Sequence, residues 1–426
     1  MENNKNAICF SINNEYVLYF LIAVQSLVEN FKKRYEIVLF HTDLNYTSLK
    51  RLELWQRLNN INLKIINISS YISHVDNFLF FESDHIKKES YYRIFIPRIL
   101  KDYDRILYLD SDILVLDDIS DIFQQKLNKN EAIAAVCDIA IQSFAYSNKE
   151  VKFNNNEMLL TDYCKHYLDI KSMNCYFNAG IILFDIKKCL EIDLENKSLE
   201  KLRSFKKPVF WDQDLLNSVL RGNVKILDFC WNYQQNIDLN FSAVPKQIIA
   251  RYLKSKSKAK IWHFITSNKP WNNLYLEKSE LWWKYAKKSA FYEELLFENF
   301  QKRIKQKSQC VGAVEKVKSH LSYKLGQEIL SVKENKLKAL ILPFALMSIG
   351  IKHKISNWIY KLISDSNPNP TLKSLPLSYY SDYHEAMKIK NYLSYKLGNL
   401  LIKHPFTFIF RVGKVYKEWK EGRCKQ

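Results

Sequence analysis

Two carboxylates one residue apart, Asp110 and Asp112, interrupt the run Arg105-Ile106-Leu107-Tyr108-Leu109-Asp110-Ser111-Asp112-Ile113-Leu114-Val115. The run is otherwise apolar, with β-branched and aromatic residues, and reads as a buried strand. An isolated ionised carboxylate is very costly in an apolar medium. The triplet is therefore placed at the strand's end, where a divalent cation offsets the charge. Residues i and i+2 of an extended segment project to the same side, so both carboxylates can face one ion. A polar strand-to-turn junction would use the same triplet, so the rest of the chain has to decide.

Further residues of suitable chemistry follow in order. Arg93 lies in Ser90–Leu100, read as helical, and a guanidinium pointing into a crevice suits a phosphate. Asp138 ends the apolar run from Ala132. Asn178 falls in Cys175–Asp185, read as a small-residue turn leading into an apolar strand. Trp211-Asp212-Gln213-Asp214 opens a helical segment in which Asp212 could simply be a cap. His263 and Lys269 stand six residues apart across a turn. A lone His or Arg also serves as a structural hydrogen-bonder or salt-bridge partner.

The elements that must position these residues alternate. Ala7–Ile12 reads as a strand, Asn13-Asn14-Glu15 as a turn and Tyr16–Asn30 as a helix. A strand at 35–42, a helix at 48–58 and a strand at 63–68 continue the pattern. Such alternation predicts βαβ units: an α/β fold with a mostly parallel sheet and helices on both faces. Ligands of such sheets bind outside the carboxyl ends of the strands, where both the Asn13 turn and the Asp110/Asp112 pair are expected. Neither a G-x-G-x-x-G nor a Walker motif is present, which argues against a dehydrogenase or P-loop nucleotidase.

Taken together, the polar turn after the first strand, Tyr91-Tyr92-Arg93, Tyr108-Leu109-Asp110-Ser111-Asp112, Phe177-Asn178-Ala179-Gly180-Ile181, Asp212-Gln213-Asp214 and His263-Phe264 followed by Lys269-Pro270-Trp271 resemble glycosyltransferase family 8. The resemblance covers roughly residues 6–285. It implies a GT-A-type fold, a UDP-sugar donor, Mn²⁺ (or Mg²⁺) and retention of anomeric configuration. Asp110, Asp112 and His263 would be the metal ligands, a set that suits Mn²⁺. Lys269 would neutralise the leaving diphosphate. Arg93 and Asp138 would contact the donor sugar or diphosphate, and Ser111 would be among the donor-binding residues. Asn178, Asp212 and Gln213 would line the sugar pocket, and Ser11, Asn13 and Tyr16 would lie near the uridine. Gln213, Asp212, Asp138 and Lys269 are thus the catalytic candidates. Three positions depart from the family pattern: Asn13 stands where many relatives have Asp, Glu15 where Asn is frequent, and Thr266 replaces a Gly of the His-to-Lys turn.

Charge divides the chain differently. Residues 301–426 hold 24 Lys and Arg against 8 Asp and Glu, so +16 of the net +19 sits in the tail. The expected division is a catalytic domain over 1–285 and a basic helical region over 286–426. Within the latter, Leu321-Ser322-Tyr323-Lys324-Leu325-Gly326 recurs as Leu393-Ser394-Tyr395-Lys396-Leu397-Gly398, a sign of a duplicated helical unit. Asn367–Thr371 between the copies reads as a linker. Basic segments carrying aromatics suit an anionic membrane surface. The alternative is a helical domain with a solvated basic face. The longest apolar stretch, Ala339–Ile351, is short and interrupted by Pro343, which argues against a spanning helix. Eight scattered cysteines without a C-x-x-C pair, and a first segment lacking an apolar leader core, point to a cytoplasmic protein held peripherally on the inner face of the membrane.

The expectation is a hexosyltransferase using UDP-galactose or UDP-glucose, with a lipid-linked or lipopolysaccharide/lipooligosaccharide core glycan as acceptor. A self-glycosylating primer protein of the glycogenin type is the alternative within that family. A nucleic-acid-binding protein is disfavoured, because the basic residues are confined to the tail, no nucleic-acid module is recognisable and the crevice is acidic.

Overall fold

The computed structural model describes residues 5–75, 80, 88–205, 207–235, 242–308, 312–332, 338–366 and 376–423. The chain divides into two compact units, Met1–Leu296 and Phe297–Gln426. The division thus falls eleven residues beyond the expected one, inside the helix α11 (Tyr292–Ser308).

Unit 1 is built on a seven-stranded sheet. Its strands are β1 (Asn6–Ser11), β2 (Glu36–His41), β3 (Leu63–Asn67), β4 (Arg105–Leu109), β6 (Ile133–Cys137), β9 (Phe177–Asp185) and β10 (Val224–Leu227), in the order β10-β6-β9-β4-β1-β2-β3. All neighbours are parallel except β9, which runs antiparallel to both β4 and β6. Successive side chains go to opposite faces, as the period of two requires. Ile8, Phe10, Leu107 and Leu109 join one core, while Ala7, Cys9, Ile106 and Tyr108 join the other.

Helices connect these strands: α1 (Val17–Glu29), α2 (Tyr46–Asn59), α3 (Ile96–Ile99), α4 (Ile139–Tyr146), α5 (Leu160–Tyr167), α6 (Ile186–Glu191), α7 (Leu194–Ser204) and α8 (Trp211–Val219). Further on lie α9 (Lys246–Lys256) and α10 (Ser279–Lys288). Helix α1 is buried from Val17 through Leu27, so its all-round apolar sequence has core on every side.

The Asp110-Ser111-Asp112 triplet lies at a strand's end, as expected, and the run continues beyond it as a second strand. β4 stops at Leu109, Asp110-Ser111-Asp112 crosses over, and β5 (Ile113–Val115) joins a second sheet with β12 (Ile261–Phe264) and β11 (Tyr233–Gln235). The two carboxylates enforce the break, since neither can be buried in the apolar layers flanking the large sheet. A separate hairpin is formed by β7 (Glu150–Phe153) and β8 (Asn156–Leu159). Two other expectations are refined. Asn178-Ala179-Gly180 is not a turn but the start of β9. Ser90–Leu100 is a 3₁₀ stretch, Lys88–Phe95, followed by the short α3 with Pro97 in its first turn. Among the described cysteines, Cys9, Cys137, Cys164, Cys189 and Cys230 are buried and free.

Unit 2 is helical. It contains α12 (Ala313–Ser319), α13 (Leu321–Ser331), α14 (Lys338–Ser366), α15 (Tyr383–Lys390), α16 (Leu393–Lys403) and α17 (Phe408–Arg423). The two LSYKLG copies open α13 and α16, and these helices cross at their glycines. A Cβ at Gly326 would overlap the Ser394 carbonyl, and one at Gly398 would overlap the Ser322 carbonyl. The contact is reciprocal, as a two-fold relation between repeats requires. α12 and α15 pack beside each other to enclose Ala313, Val317, Ala386 and Ile389. Asp382 caps α12, accepting from the amides of Ala313 and Val314 at 3.0 Å each. Pro343 does not interrupt the apolar stretch, because it lies in the second turn of a helix that runs on to Ser366. The Asn367–Thr371 segment lies outside the described residues.

Candidate active site

The topology brings the polar residues to one edge of the large sheet. β1 ends at Ser11, β4 leads into Asp110 and β6 into Asp138. Because β9 runs the other way, its first residues, Asn178 to Gly180, lie at that same edge. The Asp110 amide donates to the Gly180 carbonyl at 2.8 Å. β12 pairs antiparallel with β5 and sets His263 opposite Ile113, one residue past Asp112. The result is a pocket of about 470 Å³ lined by every site residue expected from sequence: Ser11, Asn13, Tyr16, Arg93, Asp110, Ser111, Asp112, Asp138, Asn178, Asp212, Gln213, His263 and Lys269.

Asp110, Asp112 and His263 each offer a ligand atom, all within 4.8 Å of one another. His263 Nε2 lies 3.2 Å from Asp112 Oδ1 and 3.9 Å from Asp110 Oδ2. Its tautomer is set from behind. Asn232 Nδ2 donates to Asn178 Oδ1 at 2.9 Å, so Asn232 Oδ1 is the acceptor facing His263 Nδ1 at 3.0 Å. With Nδ1 protonated, Nε2 turns a lone pair toward two carboxylates, an arrangement a cation completes. Gly180 shapes the cradle: a Cβ there would overlap the His263 ring and lie 2.7 Å from Asp110 Oδ2. The donor set and the cradle fit a divalent ion. Such an ion would supply Lewis-acid stabilisation of an anionic leaving group.

The two carboxylates are held differently. Burial pushes the Asp110 carboxyl up, and Arg93 only partly opposes it. Burial acts the same way on Asp112, but Lys269 opposes it, joined by His263 whenever the ring is doubly protonated, and that carboxyl is held well below the usual range. Lys269 Nζ pairs directly with Asp112 Oδ2. Arg93 is 3% exposed, and its guanidinium is already engaged by protein groups. Nη2 donates to Asp110 at 3.1 Å, Nε donates to the Ser90 carbonyl and lies 3.3 Å from Asp212, and Nη1 donates to the Ala179 carbonyl. The structure thus makes Arg93 a strut between two carboxylates rather than a free phosphate clamp. Asp212 is not a cap either; the N-cap of α8 is Phe210, and Asp212 sits in the first turn against Arg93.

Gln213 is fixed at both ends of its amide. Oε1 accepts from Asn178 Nδ2 at 3.2 Å and from the Ala179 amide at 3.1 Å, while Nε2 donates to Asp138 Oδ2 at 3.0 Å. Asp138 also caps α4 through the Ile141 amide at 2.9 Å. An unbroken hydrogen-bonded chain therefore runs from His263 through Asn232 and Asn178 to Gln213.

Asn232 and Asp214 were not singled out from sequence. Asp214 is fully buried and accepts from Tyr163 and Tyr176 hydroxyls at 2.8 Å each and from the Phe210 amide at 2.6 Å. Burial pushes its carboxyl up to about 6. The available signal for Asn232 was one amide in the aromatic run Phe229-Cys230-Trp231-Asn232-Tyr233, a polar residue that burial would force to find partners. Two pocket residues, Trp211 (φ 49°) and Thr266 (φ 73°), sit in the left-handed region that disfavours side chains. Ser11 Oγ is buried without a hydrogen-bond partner and borders the pocket, as a ligand-facing hydroxyl would.

A mostly parallel sheet covered on both faces, with an Asp-Ser-Asp and His cluster at its carboxyl edge, is the arrangement of a GT-A-type fold. The Glycosyl transferase family 8 profile matches residues 7–274, and the chain belongs to that family. A second profile, Domain of unknown function (DUF8374), matches residues 243–421. Among curated relatives, Glycosyltransferase GlyF of Streptococcus pneumoniae is 28% identical over 61% of this chain and 58% of its own length. Lipopolysaccharide 1,2-glucosyltransferase of Escherichia coli is 27% identical over 48% of this chain and 55% of its own. The chain thus spans less than two thirds of either. Two solved structures share the fold: the WbbM bifunctional glycosyltransferase (TM-score 0.62, 23% identity, 69% of this chain and 51% of that one) and galactosyltransferase LgtC in complex with donor and acceptor sugar analogues (TM-score 0.52, 19% identity, 67% and 96%).

Proposed function

We propose that unit 1 transfers a hexose, galactose or glucose, from a UDP-sugar to a lipopolysaccharide or lipooligosaccharide core glycan, with retention and with Mn²⁺ or Mg²⁺ in the Asp110/Asp112/His263 cradle. The observation that carries this reading is the joining of that cradle to the Gln213 amide through Asn232 and Asn178 in one pocket. The relative named as a lipopolysaccharide 1,2-glucosyltransferase supports the sugar and acceptor classes.

In this reading the bond from the anomeric carbon to the diphosphate breaks, and a bond to the acceptor oxygen forms on the same face. The acceptor's proton goes to the departing diphosphate oxygen, and Lys269 leaves Asp112 to neutralise the added charge. Gln213 stabilises the cationic sugar rather than attacking it. An amide is a weak nucleophile, and its oxygen already accepts from Asn178 and Ala179.

The test is UDP release by the purified protein with UDP-glucose, UDP-galactose and their N-acetyl counterparts, with and without Mn²⁺. Metal-dependent hydrolysis of one donor, lost in Asp112→Asn, is the expected outcome. Absence of both release and Mn²⁺-dependent UDP binding would refute the reading. A Gln213→Glu variant that accumulated a glycosylated enzyme at the rate of turnover would instead make position 213 a nucleophile.

A further inference from the structure

Helix α14 has two apolar faces, one half-buried and one exposed. Leu342, Ala345, Leu346 and Ile349 are half-buried along one side of α14, a helix that packs beside α13. On the other side, Leu340, Phe344, Met347, Ile351, Ile355 and Trp358 are all exposed, Phe344 by 76% and Trp358 by 64%. At about 100° per residue these six fall within a stripe about 80° wide, running about 27 Å along the helix. Exposed Lys352 and Lys354 flank the stripe on opposite sides. The sequence holds no Asp or Glu between Glu334 and Asp365, while Lys336, Lys338, Lys352, Lys354 and Lys361 fall in that interval.

We propose that this face of α14 lies in the plane of an anionic lipid bilayer, with the stripe in the acyl boundary and the lysines on the headgroups. Three observations select this occupant. An exposed apolar stripe of that length exceeds what a soluble surface ordinarily leaves open. A second copy docked about a two-fold axis would set lysine against lysine with no carboxylate in the segment to answer them. By length and composition Lys338–Ile359 could cross a membrane. The helix, however, packs beside α13, which carries Lys324, Gln327 and Glu328 and cannot follow it into hydrocarbon. The second repeat offers a smaller counterpart, with Phe406, Ile409 and Phe410 exposed and Lys403, Arg411 and Lys414 beside them.

The experiment is co-sedimentation of the full-length protein with phosphatidylcholine vesicles, with and without phosphatidylglycerol. The expected result is binding to the anionic vesicles, weaker by roughly tenfold or more without the anionic lipid. The doubly substituted Phe344→Gln, Trp358→Gln protein should bind roughly tenfold or more weakly still, with unchanged circular dichroism. Lys352→Gln with Lys354→Gln should reduce the preference for phosphatidylglycerol by roughly tenfold. The proposal is overturned if the wild-type protein stays in the supernatant with both vesicle types. It is equally overturned if light scattering shows a wild-type dimer that Phe344→Gln, Trp358→Gln converts to monomer, because a second copy then covers the stripe. These readouts do not depend on catalysis, so they stand apart from the test of unit 1.

Discussion

In unit 1 the buried polar groups around Gln213 and His263 find partners on several strands and helices, whereas in unit 2 the enclosed cluster is four small or aliphatic side chains and the larger apolar residues of α14 stay open. Each region contains a glycine where two elements approach too closely for a side chain. At Gly180 the space is left for chemistry: the atoms a Cβ would meet are His263 and Asp110. At Gly326 and Gly398 it is left for assembly, since the atoms met are backbone carbonyls of the facing repeat. Rigid polar cradles and close helix crossings are thus kept in separate units, and substitutions in one should leave the readout of the other intact.

The largest effect is expected where the cradle loses charge. Asp112→Asn removes a carboxylate from the proposed cation site and a partner from Lys269, and donor hydrolysis should fall by about 10³-fold or more. Vesicle binding should not change. In unit 2, Gly326→Ala or Gly398→Ala forces a methyl against a carbonyl and should destabilise that unit by about 1–3 kcal/mol or more, seen as an earlier melting transition with donor hydrolysis retained. If either substitution lowered hydrolysis as strongly as Asp112→Asn, the separation of the two units would be wrong.

Asp214 provides a test by pH. Its carboxyl is raised to about 6, so its proton is held more tightly in the folded than in the unfolded chain. Stability from this group is full below about pH 4, declines as pH rises through about 6 and then levels off, a loss of about 2–3 kcal/mol. Denaturant titrations across that range should show a shallower decline for Asp214→Asn than for the wild type. Asn232→Ala releases the His263 tautomer and should weaken Mn²⁺ binding about 10- to 100-fold in a metal titration, with little change in melting of unit 2. The smallest effect is expected at Thr266, whose left-handed backbone a glycine adopts without strain; Thr266→Gly should stabilise unit 1 by up to about 1 kcal/mol.

The sequence by itself determined the strand–helix alternation, because periodicity and turn residues are local. The pocket residues were legible as a set, because the motifs carrying Asp110, Asp112, His263 and Lys269 follow one another in the order that resembles glycosyltransferase family 8. Charge counting located the basic tail, and literal repetition of LSYKLG located its duplication. What tertiary structure decided were the properties that depend on who faces whom. The antiparallel direction of β9 moves Asn178–Gly180 from an expected turn into the cradle. Arg93 became a strut because Asp110, Asp212 and the Ala179 carbonyl surround it from three distant segments. Asn232 and Asp214 gained their roles only when burial forced them to find partners up to 54 residues away. The same holds for α14: its composition is written in the sequence, but which of its two apolar faces is half-buried and which exposed was decided by the fold.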